Sequence, residues 1–347
     1  MIDATHHHLA VGDARALPLP ADSVDLVVTS PPYPMVEMWD DAFAAVSPAA
    51  RAALEADEGW RAFDAMHDVL DDAWADLTRV LRPGGIVAID VGDATRTVDG
   101  AFRQFPNRSR VDRALREAGL RPLPDVVWHK PTNSAAKFLG SGTRPPNAYV
   151  TLEHEHLLVA RNGDARRPDP ATRDASAYFW EERNRWFTDV WEVRGERQTL
   201  DGADRDRAGA FPFEVPYRLV NMFSVQGDVV LDPFLGTGTT TLAAAASARH
   251  SVGVDRDRSL VAAARDRVPA LPELATARSR DRADAHRSFV ADRRAAGDAP
   301  GYESRYGPVV TRGERGVELP TVESVEGVPG GFVAAHGVLP DADGEQS

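Results

Sequence analysis

The chain contains no cysteine among its 347 residues and only two lysines, Lys130 and Lys137. The first absence excludes disulfides, zinc sites built on cysteine, and thiolate nucleophiles. The second means that nearly all of the 40 basic residues are arginine, set against 53 acidic ones for a net charge of -13. A lysine-poor, acid-rich composition points to a halophilic host with GC-rich coding, where the acidic excess adapts the solvent-facing surface. Long apolar runs are missing as well. No window approaches the roughly 18 consecutive apolar residues that a membrane helix needs, and Met1 to Ala10 lacks the basic-then-apolar layout of a signal peptide. These features predict a soluble, cytoplasmic protein whose length allows one large domain carrying an insertion.

An acidic total argues against a nucleic-acid partner, because phosphate neutralisation normally wants a basic surface. The charge is unevenly distributed, however. From Val126 to Leu152 there is no Asp or Glu, while Lys130, Lys137 and Arg144 lie inside that stretch. One face can therefore be basic despite the total.

Leu9 to Val11, followed by Gly12-Asp13, and the run Val24 to Val28 read as short strands joined by a polar turn. The second ends at Thr29-Ser30-Pro31-Pro32-Tyr33, where two prolines stop a strand and hold the chain extended. Between Asp64 and Leu81 apolar residues recur at helical spacing, and Arg82-Pro83-Gly84-Gly85 ends the pattern. Ile86 to Val91 reads as a buried strand, Arg113 to Ala118 as a short helix, and Val126 to Trp128 and Leu157 to Val159 as further strands. Such alternation predicts an α/β fold, a mostly parallel sheet with helices on both faces. From about residue 163 to 209 the text turns polar and aromatic, which suggests an insertion outside the core sheet. Regular structure resumes at Pro212 with a helix, the strand Val229 to Leu231, a loop, a helix from Thr239 and the strand Ser251 to Val254. An arginine-rich helix is expected from Arg278 to Ala295, and the last fifteen or so residues are expected to fray.

Asp232-Pro233-Phe234-Leu235-Gly236-Thr237-Gly238-Thr239 stands between a strand and a helix. Glycines there allow close approach of a ligand, and a helix amino terminus favours a carboxylate or phosphate. Asp255, after the next strand, can accept hydrogen bonds from ribose hydroxyls. The missing third glycine disfavours a dinucleotide and leaves S-adenosylmethionine as the better ligand. At the Ser-Pro-Pro-Tyr motif, Ser30 and the Pro31 carbonyl can accept hydrogen bonds from a base amino group while Tyr33 stacks on a flipped base.

In this order the two motifs resemble the beta-type amino-methyltransferases of restriction-modification systems, whose Ser/Asp-Pro-Pro-Tyr motif precedes the Asp-Pro-Phe-x-Gly-x-Gly loop. The likeness runs from about residue 8 to 268 and includes Leu81 to Gly85, Trp128-His129-Lys130-Pro131, Glu153-His154-Glu155 and Phe211-Pro212-Phe213-Glu214. Tyr33 to Asp40, Phe138 to Gly142 and Phe179 to Asn184 are similar to the cytosine-N4 branch and to haloarchaeal methylases of the CTAG type. The resemblance implies a Rossmann-like S-adenosylmethionine-dependent methyltransferase sheet, doubly wound and circularly permuted, over residues 1–268. A target-recognition region would occupy about 163–209 and a C-terminal extension 269–347, partly helical with a frayed acidic end.

By the same resemblance, Ser30, Pro31, Pro32 and Tyr33 are catalytic. Asp13 reaches the cofactor adenine, and Asp232, Pro233, Phe234, Gly236, Gly238, Thr239 and Asp255 hold the cofactor. Double-stranded DNA is the expected partner, with a cognate restriction endonuclease as a second. Lys130, Lys137, Arg144, Arg183 and Arg108 are the candidate DNA contacts, with Arg96, Arg103 and Arg110 beside Arg108 as further phosphate contacts. The aromatic cluster from Tyr178 to Trp191 suits either target recognition or a small satellite core. Serine rather than aspartate at position 30 favours cytosine N4 over adenine N6. The absence of cysteine excludes carbon-5 methylation, which needs a thiolate. RNA and a glutamine amide stay open on the Pro-Pro-Tyr motif alone, with the permuted order against them, and the intact glycine and Pro-Pro-Tyr motifs count against a catalytically silent DNA-binding protein. His6-His7-His8 and His154-Glu155-His156 offer imidazoles without a third ligand spaced to join them, so no metal site is expected.

Overall fold

The computed structural model describes residues 2–130, the backbone of 139–140, and residues 144–195, 211–298 and 300–341. A single large sheet runs through it. Its main strands are β1 (Ala4–Val11), β2 (Val24–Thr29), β3 (Leu81–Val91), β4 (Val126–His129), β5 (His154–Arg161), β6 (Val190–Glu192), β7 (Val229–Asp232), β8 (His250–Asp255), β9 (Pro320–Val328) and β10 (Gly331–Val338). They lie in the order β6-β4-β5-β3-β2-β7-β8-β1-β10-β9. The five central strands β3, β2, β7, β8 and β1 are mutually parallel, whereas β5 runs antiparallel to β3 and β10 to β1. Every residue of β2 is buried, as expected for a strand covered on both faces.

The helices are α1 (Asp40–Ala44), α2 (Pro48–Glu55), α3 (Gly59–Val80), α4 (Asn107–Glu117), α5 (Pro170–Ala175), α6 (Trp180–Trp186), α7 (Glu214–Phe223), α8 (Thr239–Ala246), α9 (Arg258–Asp266) and α10 (Leu271–Ala295). One apolar core lies beneath α3, which buries Phe63, Met66, Leu70, Trp74 and Leu77 at helical spacing. The opposite face is covered by α7, α8 and α10. Every residue of α8 is buried, and its alanines let it sit close to the sheet. Among the described residues no helix is long and apolar enough to cross a membrane.

Two sequence expectations change here. The arginine-rich helix begins seven residues earlier, at Leu271, because Leu271 and Ala275 extend its buried stripe. The expected frayed end instead starts inside the sheet, with β9 and β10 forming a hairpin that pairs with β1. Gly331 permits this contact, since a Cβ there would lie 1.8 Å from the His7 carbonyl oxygen. Buried polar groups fasten the seam: the Thr5 hydroxyl bonds both His7 Nε2 and His336 Nε2 at 2.7 Å, and His7 Nδ1 bonds the Ser251 hydroxyl at 2.8 Å.

The aromatic segment also finds its place. Phe179, Trp186 and Trp191 are buried, and Phe179 belongs to a third small core with Ala283, Tyr306, Val309, Val317, Leu319 and Leu339. Its ring stacks on His286 at 3.9 Å, and the buried Arg282 on α10 grips Glu182 through both carboxylate oxygens, at 2.6 and 2.8 Å. The segment does not lie wholly outside the sheet as its text suggests: Val190–Glu192 pairs in parallel with β4 as the edge strand β6, because Trp191 buries itself in the sheet's core, while the residues around Phe179 are built onto the C-terminal helix and hairpin. Residues 196–209 lie outside the described residues.

Candidate active site

All five parallel strands end on one edge, the side where open α/β sheets bind ligands. From that edge β1 leads to Asp13, β2 to Ser30, β3 to Gly92, β7 to the Asp232 loop and β8 to Asp255. β4 delivers Lys130, and β5, running the other way, begins there with Glu155. These residues line one cavity of about 1140 Å³, together with residues of the Val36–Val46 segment and Val69, Leu70 and Ala73 of α3. That volume exceeds the roughly 300–1,000 Å³ of a single small-molecule pocket. There is room for a cofactor and a base together.

At one end stands the glycine loop. Asp232 is 3% exposed, and its Oδ1 accepts from the Thr29 hydroxyl at 2.6 Å and the Phe234 amide at 3.1 Å. Burial nevertheless pushes its carboxyl up to about 6. Asp255 shapes the loop from the next strand, accepting from the Gly236 amide and the Asp257 amide, both at 2.9 Å. Gly236 has φ +53°, and a Cβ there would meet nothing nearer than 3.9 Å, so the backbone leaves the cavity open at that point. Pro233, Phe234 and Thr239 join Gly236 in the lining. Gly238 does different work: with φ +80° it starts α8, and its bare Cα lets Ala264 of α9 approach, a Cβ there falling 2.8 Å from the alanine's. Asp13 lines the cavity too. Arg15 holds its carboxylate at 2.7 and 3.0 Å and keeps its carboxyl below the ordinary range, while Arg256 stands 3.7 Å away.

At the other end Ser30, Pro31, Pro32 and Tyr33 form the wall. The Ser30 Oγ and Tyr33 Oη lie 3.0 Å apart, and Tyr33 donates to Glu155 Oε2 at 3.2 Å. Glu155 Oε1 pairs with the Lys130 ammonium, which sits 4.2 Å above the Trp128 ring. Behind them lies Asp90, 2% exposed; burial first, and then the charge of Glu155, raise its carboxyl well above the usual range. Burial likewise raises the Tyr33 phenol and keeps it neutral. Glu155, Asp90 and Arg15 had no assigned role in the sequence reading. A signal was present for Asp90, a lone carboxylate within an otherwise apolar strand.

The candidate DNA contacts divide. Lys130 belongs to the cavity wall. Arg144 is exposed, as is Arg183 on α6, whose guanidinium lies 5.5 Å from the Trp180 ring. Arg108 is ion-paired with Asp125 at 2.8 Å, Arg96 with Asp40 at 2.8 Å, and Arg110 with Asp71. Lys137 and most of the 138–142 stretch lie outside the described residues.

Two motif-bearing strand ends that open into one cavity are the arrangement of an S-adenosylmethionine-dependent DNA methyltransferase. Among solved structures, TTHA0409 from Thermus thermophilus, described as a DNA modification methylase and crystallised with S-adenosyl-L-methionine, matches with a TM-score of 0.61. It is 32% identical to this chain and the match covers 77% of this chain and 94% of that one. The chain belongs to the N6_N4_Mtase family of DNA methylases, whose model matches residues 24–266. It is also 40% identical over 322 residues to the Type II methyltransferase M.MthZI of Methanothermobacter thermautotrophicus, covering 91% of this chain and 90% of that protein. Against the Type II methyltransferase M.MjaI of Methanocaldococcus jannaschii it is 45% identical over 276 residues, 74% of this chain and 89% of that one. The cofactor is S-adenosylmethionine.

Proposed function

We propose that the protein methylates the N4 amino group of cytosine within a short palindromic site of double-stranded DNA, CTAG being the candidate sequence, after flipping the base into the cavity. The observation that carries this reading is the neutral hydroxyl of Ser30, next to the Pro31 carbonyl, facing the same cavity as the glycine loop. Acceptors alone suffice to orient an amino lone pair. The Type II methyltransferases that share 40–45% identity support a modification role, with a cognate endonuclease as partner. The strand order, in which β7 from late in the chain lies between β2 and β8, supports the permuted beta-type reading.

The residues present fit the cofactor. The open backbone at Gly236 and the amino end of α8 receive the carboxylate end, Asp255 the ribose, Asp13 the adenine, and Phe234 and Leu260 the apolar parts. When bound, the cofactor supplies an electrophilic sulfonium methyl. Ser30 and the Pro31 carbonyl accept the amino hydrogens and so aim the nitrogen lone pair, while Tyr33 stacks on the ring and the segment from Val36 to Val46 excludes water. We assign the described part of the 163–209 segment, with exposed Arg183, to target recognition, supported on the 269–347 extension. The acidic surface suits a halophilic cytoplasm, and assays belong in high salt.

The test is to incubate the protein with labelled S-adenosylmethionine and unmethylated genomic DNA, digest to nucleosides and identify the product by mass spectrometry. N4-methylcytosine is the expected product. N6-methyladenine would overturn the base assignment and leave the family membership intact.

A further inference from the structure

The donor directions around Tyr33 carry one step more. A phenol has a single proton to donate. Tyr33 gives it to Glu155 Oε2, 3.2 Å away. Its contact with Ser30 Oγ, at 3.0 Å, must then be donated by the serine. Ser30 is thereby left with lone pairs only toward the cavity, the state that an incoming amino group requires. Glu155 is flanked on two further sides, by the Lys130 ammonium and by the buried Asp90, whose carboxyl is raised first by burial and then by the charge of Glu155. Gly92 keeps the packing tight, since a Cβ there would lie 3.0 Å from Glu155 Cγ and 3.2 Å from Tyr33 Cε2.

We propose that Ser30, Tyr33 and Glu155 form a proton relay that makes Ser30 an acceptor and removes the proton that the amino nitrogen must lose. This inference rests on the reading of the cavity as a methyl-transfer site, and holds for either exocyclic amine. As the nitrogen–methyl bond forms and the sulfur–methyl bond breaks, the nitrogen becomes cationic. One of its protons passes to Ser30 Oγ, the serine proton to Tyr33 Oη, and the tyrosine proton to Glu155, which ends neutral and later returns it to solvent. Glu155 touches the base only through the other two and is a positioning residue. The groups that face it are Tyr33 from the loop after β2, Asp90 from β3 and Lys130 from the end of β4. His154 and His156 flank it on its own strand, and Glu153, just before that strand, and Asp93 line the same cavity.

The experiment is single-turnover methyl transfer by Glu155→Gln, Tyr33→Phe and the double variant. It is accompanied by calorimetric S-adenosylmethionine affinity and by the fluorescence of 2-aminopurine placed at the target base, which reports flipping without chemistry. Each single variant is expected to lose at least about tenfold in rate, the scale of impaired proton transfer, with cofactor affinity and flipping retained. The double variant should be no slower than the worse single one, because both cut one chain. In Glu155→Gln the residual rate should climb with pH where the native rate is level, as hydroxide takes over the proton. Native rates and a native pH profile in both variants would overturn the relay, and so would additive losses. Should Glu155→Gln fail to fold, Tyr33→Phe alone decides through the same rate and pH measurements. Absence of any methylated DNA base with the unaltered protein would instead overturn the functional reading itself.

Discussion

Thr29 donates its hydroxyl hydrogen to Asp232 at 2.6 Å, and this bond joins the strand that carries the Ser-Pro-Pro-Tyr motif to the strand that carries the glycine loop. The two residues stand 203 positions apart in the chain, and the pairing of Leu26 with Val230 and Val27 with Leu231 brings them together. Thr29→Val removes a donor from a buried carboxylate, at an expected cost of about 1–3 kcal/mol. Chemical denaturation should show the loss, and calorimetry should show weaker S-adenosylmethionine binding. Unchanged values for both would separate the motifs energetically.

Asp232 also sets a pH dependence of definite sign. Its carboxyl is raised from 3.8 to about 6 in the fold, so between those values the folded state binds more protons than the unfolded one. The residue therefore costs stability as pH rises through that window, and the full cost persists above it. Asp232→Asn should leave the protein at least as stable at neutral pH and should remove this downward contribution from a plot of unfolding free energy against pH. A variant that is markedly weaker at pH 7 and equal at pH 4 would contradict the assignment.

His336 acts with the opposite sign. Burial lowers its pKa from 6.5 to about 4, so the unfolded state takes up a proton first as pH falls. Its contribution to the hairpin seam is present above 6.5 and is lost progressively toward 4. Urea midpoints measured across that interval should fall, and the fall should be shallower in His336→Gln than in the native chain. An equal slope in the two would show that the Thr5 to His336 contact carries no linkage.

Arg282 and Glu182 bind α6 to α10 with both side chains buried. Arg282→Met alone leaves an uncompensated carboxylate and should cost about 3–5 kcal/mol, whereas pairing it with Glu182→Leu should recover most of the loss. Thermal unfolding in high salt gives the comparison. A double variant as unstable as the single one would mean that packing around Trp186, and not charge, holds α6.

Two arginines should separate phosphate or base contact from structure. Arg183 is exposed, so Arg183→Ala should weaken DNA binding and reduce the salt dependence by about one ion while leaving the melting temperature alone. Arg108 is committed to Asp125, and Arg108→Ala should act mainly on stability. Equal losses of DNA affinity in both would restore Arg108 to the DNA-facing set. Titration over a salt series settles the matter.

Local chemistry was enough to reveal the parallel α/β sheet, the glycine loop, the Pro-Pro-Tyr wall and the cofactor class, because each is written in contiguous residues. Proline ends a strand, glycine opens a backbone, and a mainly apolar run buries itself whatever the rest of the chain does. The same holds for what cysteine's absence forbids. What contiguous text could not supply is every relation that depends on which strand lies beside which. Tertiary structure alone decided that Gly238 packs α8 on α9 while Gly236 faces the cavity, and that Lys130 belongs to the wall. It also decided that Arg96, Arg108 and Arg110 spend their charges on acidic neighbours, and that the chain end closes the sheet. The role of Glu155 is the clearest case. A carboxylate at the start of a strand is ordinary in sequence, and it acquires meaning only where sheet pairing sets Tyr33, Lys130 and Asp90 around it, since hydrogen bonds and ion pairs act over a few ångströms of space and not along the chain.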